Sequence, residues 1–199
     1  MTGSVDIIDD EETIRDALAF LLASRGVPSR GWHSGKAFLD AMPPADCACI
    51  ILDVRMEGLS GPETYDGLRA LGCEVPVIFL TGHADVPVAV QTLKAGAFDF
   101  IEKPFNDNQI VDVVLSAMAA DKARRLKSGQ RQNLEQRLAT LSPREIEVMH
   151  LMLGGRLNKQ ISDTLGIAMR TVEVHRSRVL SKLSVRNIAE LAVLVRGFE

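Results

Sequence analysis

Five polar side chains could do chemistry together if the chain brings them to one place: the adjacent pair Asp9 and Asp10, then Asp53, Thr81 and Lys103. Carboxylates crowded together repel one another, and a hard divalent cation such as Mg²⁺, bound by a few oxygens while keeping waters, relieves that repulsion. The same cation prepares a site for phosphate. Asp53 could then act as a nucleophile towards a phosphoryl donor, since that transfer depends chiefly on positioning and on neutralising charge at the equatorial oxygens. Lys103 would supply a point charge and Thr81 a hydroxyl donor. Singly, each residue has an ordinary explanation, because an acidic pair after a strand is often a helix N-cap and a lysine at a strand end is usually solvated. The ordered set is far more specific than any member.

The elements that must position them are short and apolar. Strands are predicted over 5–8, around 27–32, over 49–52, over 75–80 and at 100–101, and each candidate residue directly follows one of them. Helix-period stretches lie between: Ile14, Leu18, Leu21 and Leu22, then 62–71, 88–95 and a last one from about Asn106. Continuous apolar strands belong to a parallel sheet covered on both faces. The pattern predicts a doubly wound α/β domain with a five-stranded parallel sheet and with ligands gathered at the carboxyl ends of the strands.

Composition sets the outer bounds. At 199 residues with 46% hydrophobic content, the chain has room for one domain of typical size and a smaller one. The net charge of −3 hides an asymmetry: residues 1–118 carry −10, 119–138 carry +4 and 139–199 carry +3. A basic end on an acidic protein is what a nucleic-acid-binding module contributes, and a solvated basic surface is the plain alternative. Cys47, Cys49 and Cys73 are too few for a disulfide framework and lack metal-site spacing, so they read as reduced core thiols. With no leader pattern and no run of about 20 apolar residues, a cytoplasmic protein with no membrane partner is expected.

Three segments are expected: 1–120 as the α/β domain, 121–138 as a partly helical linker, and 139–199 as an all-helical domain. The linker reading rests on charged, Gln-rich sequence interrupted by Lys127-Ser128-Gly129-Gln130. In the last segment, Ser142-Pro143-Arg144-Glu145 combines an N-cap serine, a proline at the first helical position and a glutamate three residues after the cap. Helices are predicted from there to Gly154, over 159–165, over 170–183 and over 188–195, with Gly166 turning between the second and third. On the third, Val172, Val179 and Leu183 share one face, while Val174, Ser177, Arg178 and Ser181 lie opposite. That exposed mixture suits a helix laid in a DNA major groove, and the short helix and glycine turn before it favour a helix-turn-helix over an ordinary amphipathic helix.

The first part resembles the receiver domain of bacterial two-component response regulators from residue 4 to about 120. The matching stretches are Val5-Asp6-Ile7-Ile8-Asp9-Asp10-Glu11, Ile51-Leu52-Asp53-Val54-Arg55-Met56, Leu80-Thr81-Gly82-His83 and Phe100-Ile101-Glu102-Lys103-Pro104-Phe105. The resemblance implies that Asp53 is the phosphoacceptor, that Asp10, Asp53 and the main-chain carbonyl of Arg55 hold Mg²⁺, and that Asp9 assists through water. It implies phosphoryl contacts from Thr81 and Lys103. Phe100 is expected to swing inward with the threonine and alter a surface of the fourth helix and fifth strand that includes Val90, Lys94 and Ala97. Lys103-Pro104 matches a cis-proline position. One departure stands out: many receivers place proline after the methionine, and Glu57 stands here.

The tail, through Leu141-Ser142-Pro143-Arg144-Glu145, Asn158-Lys159-Gln160-Ile161 and Thr171-Val172-Glu173-Val174-His175-Arg176, resembles the LuxR-type DNA-binding domain. The two halves together are similar to the FixJ/NarL family, the FixJ branch most closely. By position in that motif, Glu173, Val174 and Ser177 face bases, with Lys159, Thr171, Arg176 and Arg178 near phosphates. Ala168-Met169 lacks the hydroxyl cap often found before the recognition helix, which places that helix's order without DNA in question. The resemblance implies a sensor histidine kinase, promoter DNA and RNA polymerase as partners and activation of transcription, with phosphorylation of Asp53 expected to promote a homodimer, release of the DNA-binding domain, or both. Two rivals are weighed. An aspartyl-phosphate hydrolase would place its nucleophile in an Asp-x-Asp motif after the first strand, whereas Asp9-Asp10 is contiguous; a phosphorylation-independent DNA binder is disfavoured by the intact acidic set.

Overall fold

The computed structural model describes residues 3–41, 43–82 and 86–196, and divides into two compact units, residues 1–125 and 126–199. In the first, strands β1 (Ser4–Ile8), β2 (Ser29–Trp32), β3 (Cys47–Asp53), β4 (Val77–Thr81) and β5 (Asp99–Glu102) form one sheet ordered β2-β1-β3-β4-β5. All four pairings are parallel. Helices α1 (Glu12–Ser24), α2 (Gly35–Ala41), α3 (Gly61–Ala70), α4 (Val86–Lys94) and the start of α5 (Asp107–Ala139) connect them.

Strand side chains alternate between faces, so the sheet sorts its apolar residues into two cores. Val5, Ile7, Ile51, Ile78, Leu80 and Ile101 pack with Leu18 and Leu22 of α1 and with Ile110 and Val114 of α5. Ile8, Ile50, Leu52, Val77 and Phe79 pack on the other face with Phe38, Tyr65 and Leu68. Burying each such aliphatic side chain contributes roughly 1.5–3 kcal/mol. Cys47 and Cys49 are buried free thiols, and desolvation pushes both pKa values well above the ordinary thiol range, as expected of inert core residues.

The strand order reverses between β1 and β3, which is where a doubly wound sheet opens its ligand crevice. Ile8 is in register with Leu52, and Asp53 with Leu80. The residues that follow β1 and end β3 therefore emerge side by side, next to Thr81 at the end of β4.

The second unit contains the later part of α5 and four shorter helices: α6 (Pro143–Leu153), α7 (Asn158–Leu165), α8 (Met169–Leu183) and α9 (Ile188–Arg196). They bury Val148, Met152, Ile161, Val172, Val179, Leu183 and Leu191 together. Ser142 caps α6 with the predicted reciprocal bonds to Glu145, and Gly166 turns from α7 at φ 63°, where a side chain would be strained.

Three features differ from the sequence reading. Helix α2 is additional; only Phe38 is a large buried side chain within it. Residues 121–138 lie wholly within the 33-residue α5. Ala97, expected on the surface, is buried in the second core, because its N–H bonds back to Thr92 and the next residue's N–H bonds to Val77. Among the described residues, no helix is long and apolar enough to cross a membrane.

Candidate functional site

The β1–α1 loop is held at several points. Asp9 is fully buried; its N–H donates to the Trp32 carbonyl, its Oδ1 accepts from Glu11 N–H at 2.9 Å, and its Oδ2 accepts from Lys103 Nζ at 2.9 Å. Arg15, one turn into α1, donates through Nη1 to the carbonyls of Asp9 at 2.7 Å and Asp10 at 3.0 Å. Asp10 itself is exposed, and its Oδ2 accepts from the Glu57 N–H at 2.9 Å.

Asp53 is 6% exposed at the end of β3. Its Oδ1 accepts from Lys103 Nζ at 2.6 Å and its Oδ2 from the Arg55 N–H at 2.7 Å. Gly61, at the start of α3, runs so close that a Cβ there would lie 2.2 Å from the Asp53 carbonyl oxygen. Only glycine allows that approach, and the Gly61 N–H bonds to the Val54 carbonyl. Thr81 is buried at the end of β4, its hydroxyl donating to the Gly82 carbonyl at 3.1 Å. Phe100 is half-buried against the second core. Val90 and Lys94 of α4 are exposed, and the Lys103-Pro104 bond is cis. His83, quoted in the Leu80-to-His83 motif, lies outside the described residues.

The structure thus brings Asp9, Asp53 and Lys103 into direct contact, with Asp10 and Thr81 on adjacent strand ends. Burial pushes the Asp53 carboxyl above its ordinary value, even though Lys103 pulls it down. Burial lowers the Lys103 ammonium, but its bonds to Asp53 and Asp9 outweigh that and hold it above its ordinary value. A low-dielectric corner with a cation between two carboxylates can receive a phosphoryl group and offset its charge.

The donor set fits a hard cation. Every candidate ligand is an oxygen, the class that Mg²⁺ prefers. Among the described residues no three His, Cys, Asp or Glu side chains form a ligand cluster, so a cation would combine Asp10 and Asp53 with a main-chain oxygen and water. Both Asp9 oxygens are already engaged, which suits a contact through water.

In the second unit, the predicted faces of α8 are found. Val172, Val179 and Leu183 are buried; Thr171, Glu173, Val174, Ser177 and Arg178 are exposed, as is Lys159 on α7. Arg176 is half-buried. The helix starts at Met169 without a side-chain cap; instead Thr171 and Val172 N–H groups donate to the Ala168 carbonyl. At its other end Lys182 pairs with buried Glu145 at 2.6 Å and donates to the Thr140 carbonyl at 2.8 Å, while Arg137 donates to the Leu183 carbonyl at 3.1 Å. These bonds fix the exposed face relative to α6.

Sequence reasoning passed over Arg15, Gly61 and Lys182. The signals were faint: an arginine one turn after an acidic pair, a glycine after a serine cap, and a lysine that looks solvated until its carboxylate partner 37 residues away is placed.

Comparison with known proteins agrees with both halves. Residues 5–115 match the family described as response regulator receiver domain, and residues 139–195 match the bacterial regulatory proteins of the luxR family. The chain is 62% identical over 194 residues to the C4-dicarboxylate transport transcriptional regulatory protein DctR of Rhodobacter capsulatus, covering 96% of this chain and 98% of that one. It is 43% identical to the transcriptional regulatory protein FixJ of Azorhizobium caulinodans, covering 94% and 89% of the two chains. Among solved structures, the response regulator StyR superposes with a TM-score of 0.92 at 36% identity, over 98% and 99% of the two chains. Full-length FixJ from B. japonicum gives 0.63 at 37% identity, over 100% and 98%. The chain belongs to the two-component response regulators, with a receiver domain followed by a LuxR-type DNA-binding domain.

Proposed function

We propose that Asp53 accepts a phosphoryl group from a sensor histidine kinase and that the modified protein binds promoter DNA through α8. The observation that carries the reading is Lys103 Nζ bridging Asp53 and Asp9. An Asp53 carboxylate oxygen attacks phosphorus, the bond from phosphorus to the donor's histidine nitrogen breaks, and the aspartyl phosphate forms. Lys103 exchanges its bond to the carboxylate for one to a phosphoryl oxygen, and the Thr81 hydroxyl turns from the Gly82 carbonyl to another. Asp10, Asp53 and the Arg55 carbonyl would hold Mg²⁺, with Asp9 assisting through water, and the bound cation would supply charge neutralisation at the phosphoryl oxygens. The chain performs no turnover chemistry on other substrates.

The Thr81 movement makes room for Phe100 to turn inward, which changes the surface carrying Val90 and Lys94. That surface pairs two copies, and a two-fold dimer presents two α8 helices to paired half-sites. Glu173, Val174 and Ser177 read bases; Lys159, Thr171, Arg176 and Arg178 contact phosphates. The outcome is activation through RNA polymerase in the cytoplasm. The likeness to DctR supports genes of C4-dicarboxylate transport as targets.

Molar mass by light scattering, in Mg²⁺ with and without a small phosphodonor, tests the switch. A donor-dependent rise to dimer, lost in Asp53→Asn, supports it; a mass unchanged by the donor contradicts the dimer.

A further inference from the structure

Glu57 stands where many receivers carry proline, and the exchange leaves a main-chain N–H where proline has none. That N–H donates to Asp10 Oδ2 at 2.9 Å across 47 residues. Among the described residues it makes the one hydrogen bond to the Asp10 side chain. We propose that the Glu57 main-chain N–H is a positioning group for the divalent cation, holding the Asp10 carboxylate against the loop of Asp53 and Arg55 and thereby raising the affinity of the site for Mg²⁺.

The other acidic groups need no such help. Asp9 is buried with both oxygens engaged, and Asp53 has Lys103 on one oxygen and the Arg55 N–H on the other. Asp10 is exposed, and Arg15 fixes its carbonyl but not its side chain. Without the Glu57 bond, the carboxylate is free to rotate into water, and a cation that recruits it must also overcome that rotational freedom. A carboxylate has about four lone-pair sites, so a bond to Oδ2 leaves Oδ1 able to take a cation.

The inference rests on the reading that Asp10 and Asp53 hold Mg²⁺. Its test is a Mg²⁺ titration of the full-length protein, followed by the fluorescence of Trp32, the single tryptophan, and by calorimetry. Trp32 is well placed because its carbonyl accepts the Asp9 N–H at 3.2 Å. Glu57→Pro is compared with Glu57→Ala, which has the same charge but keeps the N–H. A backbone ester at residue 57, which removes the N–H and keeps the side chain, is compared with wild type. Melting temperatures without metal verify that each variant is folded.

Glu57→Pro is expected to bind Mg²⁺ about three- to tenfold more weakly than Glu57→Ala, with the ester weakened similarly against wild type. Equal affinities within each pair, with wild type binding, overturn the role of the N–H and leave the cation site standing. Absence of saturable Mg²⁺ binding in wild type overturns both.

Discussion

Lys103 Nζ stands 2.6 Å from Asp53 Oδ1, joining the end of β5 to the end of β3 across 50 residues. The same ammonium reaches Asp9, so one cation offsets two buried carboxylates. Parallel register makes this possible: Asp53 pairs with Leu80, and Thr81 with Glu102, which puts Lys103 one residue beyond the sheet on the side where Asp53 ends.

Replacing Lys103 by methionine should slow phosphoryl incorporation from a small phosphodonor by about 100-fold, the range found when one preorganised donor is removed from a charge-developing site. The rate is measured by quenched-flow labelling at saturating Mg²⁺. Asp53, relieved of its cation, should also require a higher pH to ionise, because burial and the neighbouring Asp9 charge raise it and Lys103 is the main influence that opposes them.

Gly61→Ala should destabilise the receiver by about 1–3 kcal/mol, the usual cost of forcing an added methyl into a closed space. The new Cβ meets backbone, the Asp53 carbonyl, which has no flexible end to yield. Urea unfolding followed by Trp32 fluorescence reads the loss. Phosphorylation should fall with it, since the strain falls on the Asp53 main chain.

Lys182 holds Glu145 well below the usual carboxylate range, at about 2 rather than 4.5, helped by the Ser142 N–H. A carboxylate whose folded pKa is depressed stabilises fully above its unfolded value and loses that contribution as pH falls through the folded one. The window is therefore below about 4.5 and extends to about 2. The helical unit should unfold at progressively lower urea over that range. Because the only tryptophan lies in the receiver, a circular-dichroism transition with no fluorescence change identifies this unit. Lys182→Met should flatten the acid dependence.

For DNA, Arg178→Ala should weaken binding to all sequences alike and reduce the salt slope by about 1, as expected for one lost phosphate contact. Glu173→Ala or Ser177→Ala should instead relax preference at one base pair by about 1–3 kcal/mol. Filter binding across salt concentrations, with matched and mutated sites, separates the two behaviours.

The parts legible in the sequence were those where local and long-range signals coincide. β1 and β3 read as uninterrupted apolar runs because both faces are buried, and the α6 cap was visible as four consecutive residues. Helix α2 escaped notice because a seven-residue helix with one large buried side chain has too few turns to show a period. The length of α5 was hidden for a different reason. Its later half has no continuous apolar face to count, and Gly129 costs about 1 kcal/mol in a helix. Good helix formers and the Arg131–Glu135 pair one turn apart favour the helix there. The candidate site was legible as residues but not as bonds: nothing local to Asp10 indicates that its partner is a main-chain N–H 47 positions later.

Phosphoryl acceptance by Asp53 is measured by intact mass spectrometry of the full-length protein after incubation with a small phosphodonor and Mg²⁺, with borohydride trapping and peptide mapping of the acyl phosphate. One added phosphoryl group is expected, mapped to Asp53 and absent from Asp53→Asn. A phosphoryl group retained in that variant, or no modification of the wild-type chain, would contradict acceptance at Asp53.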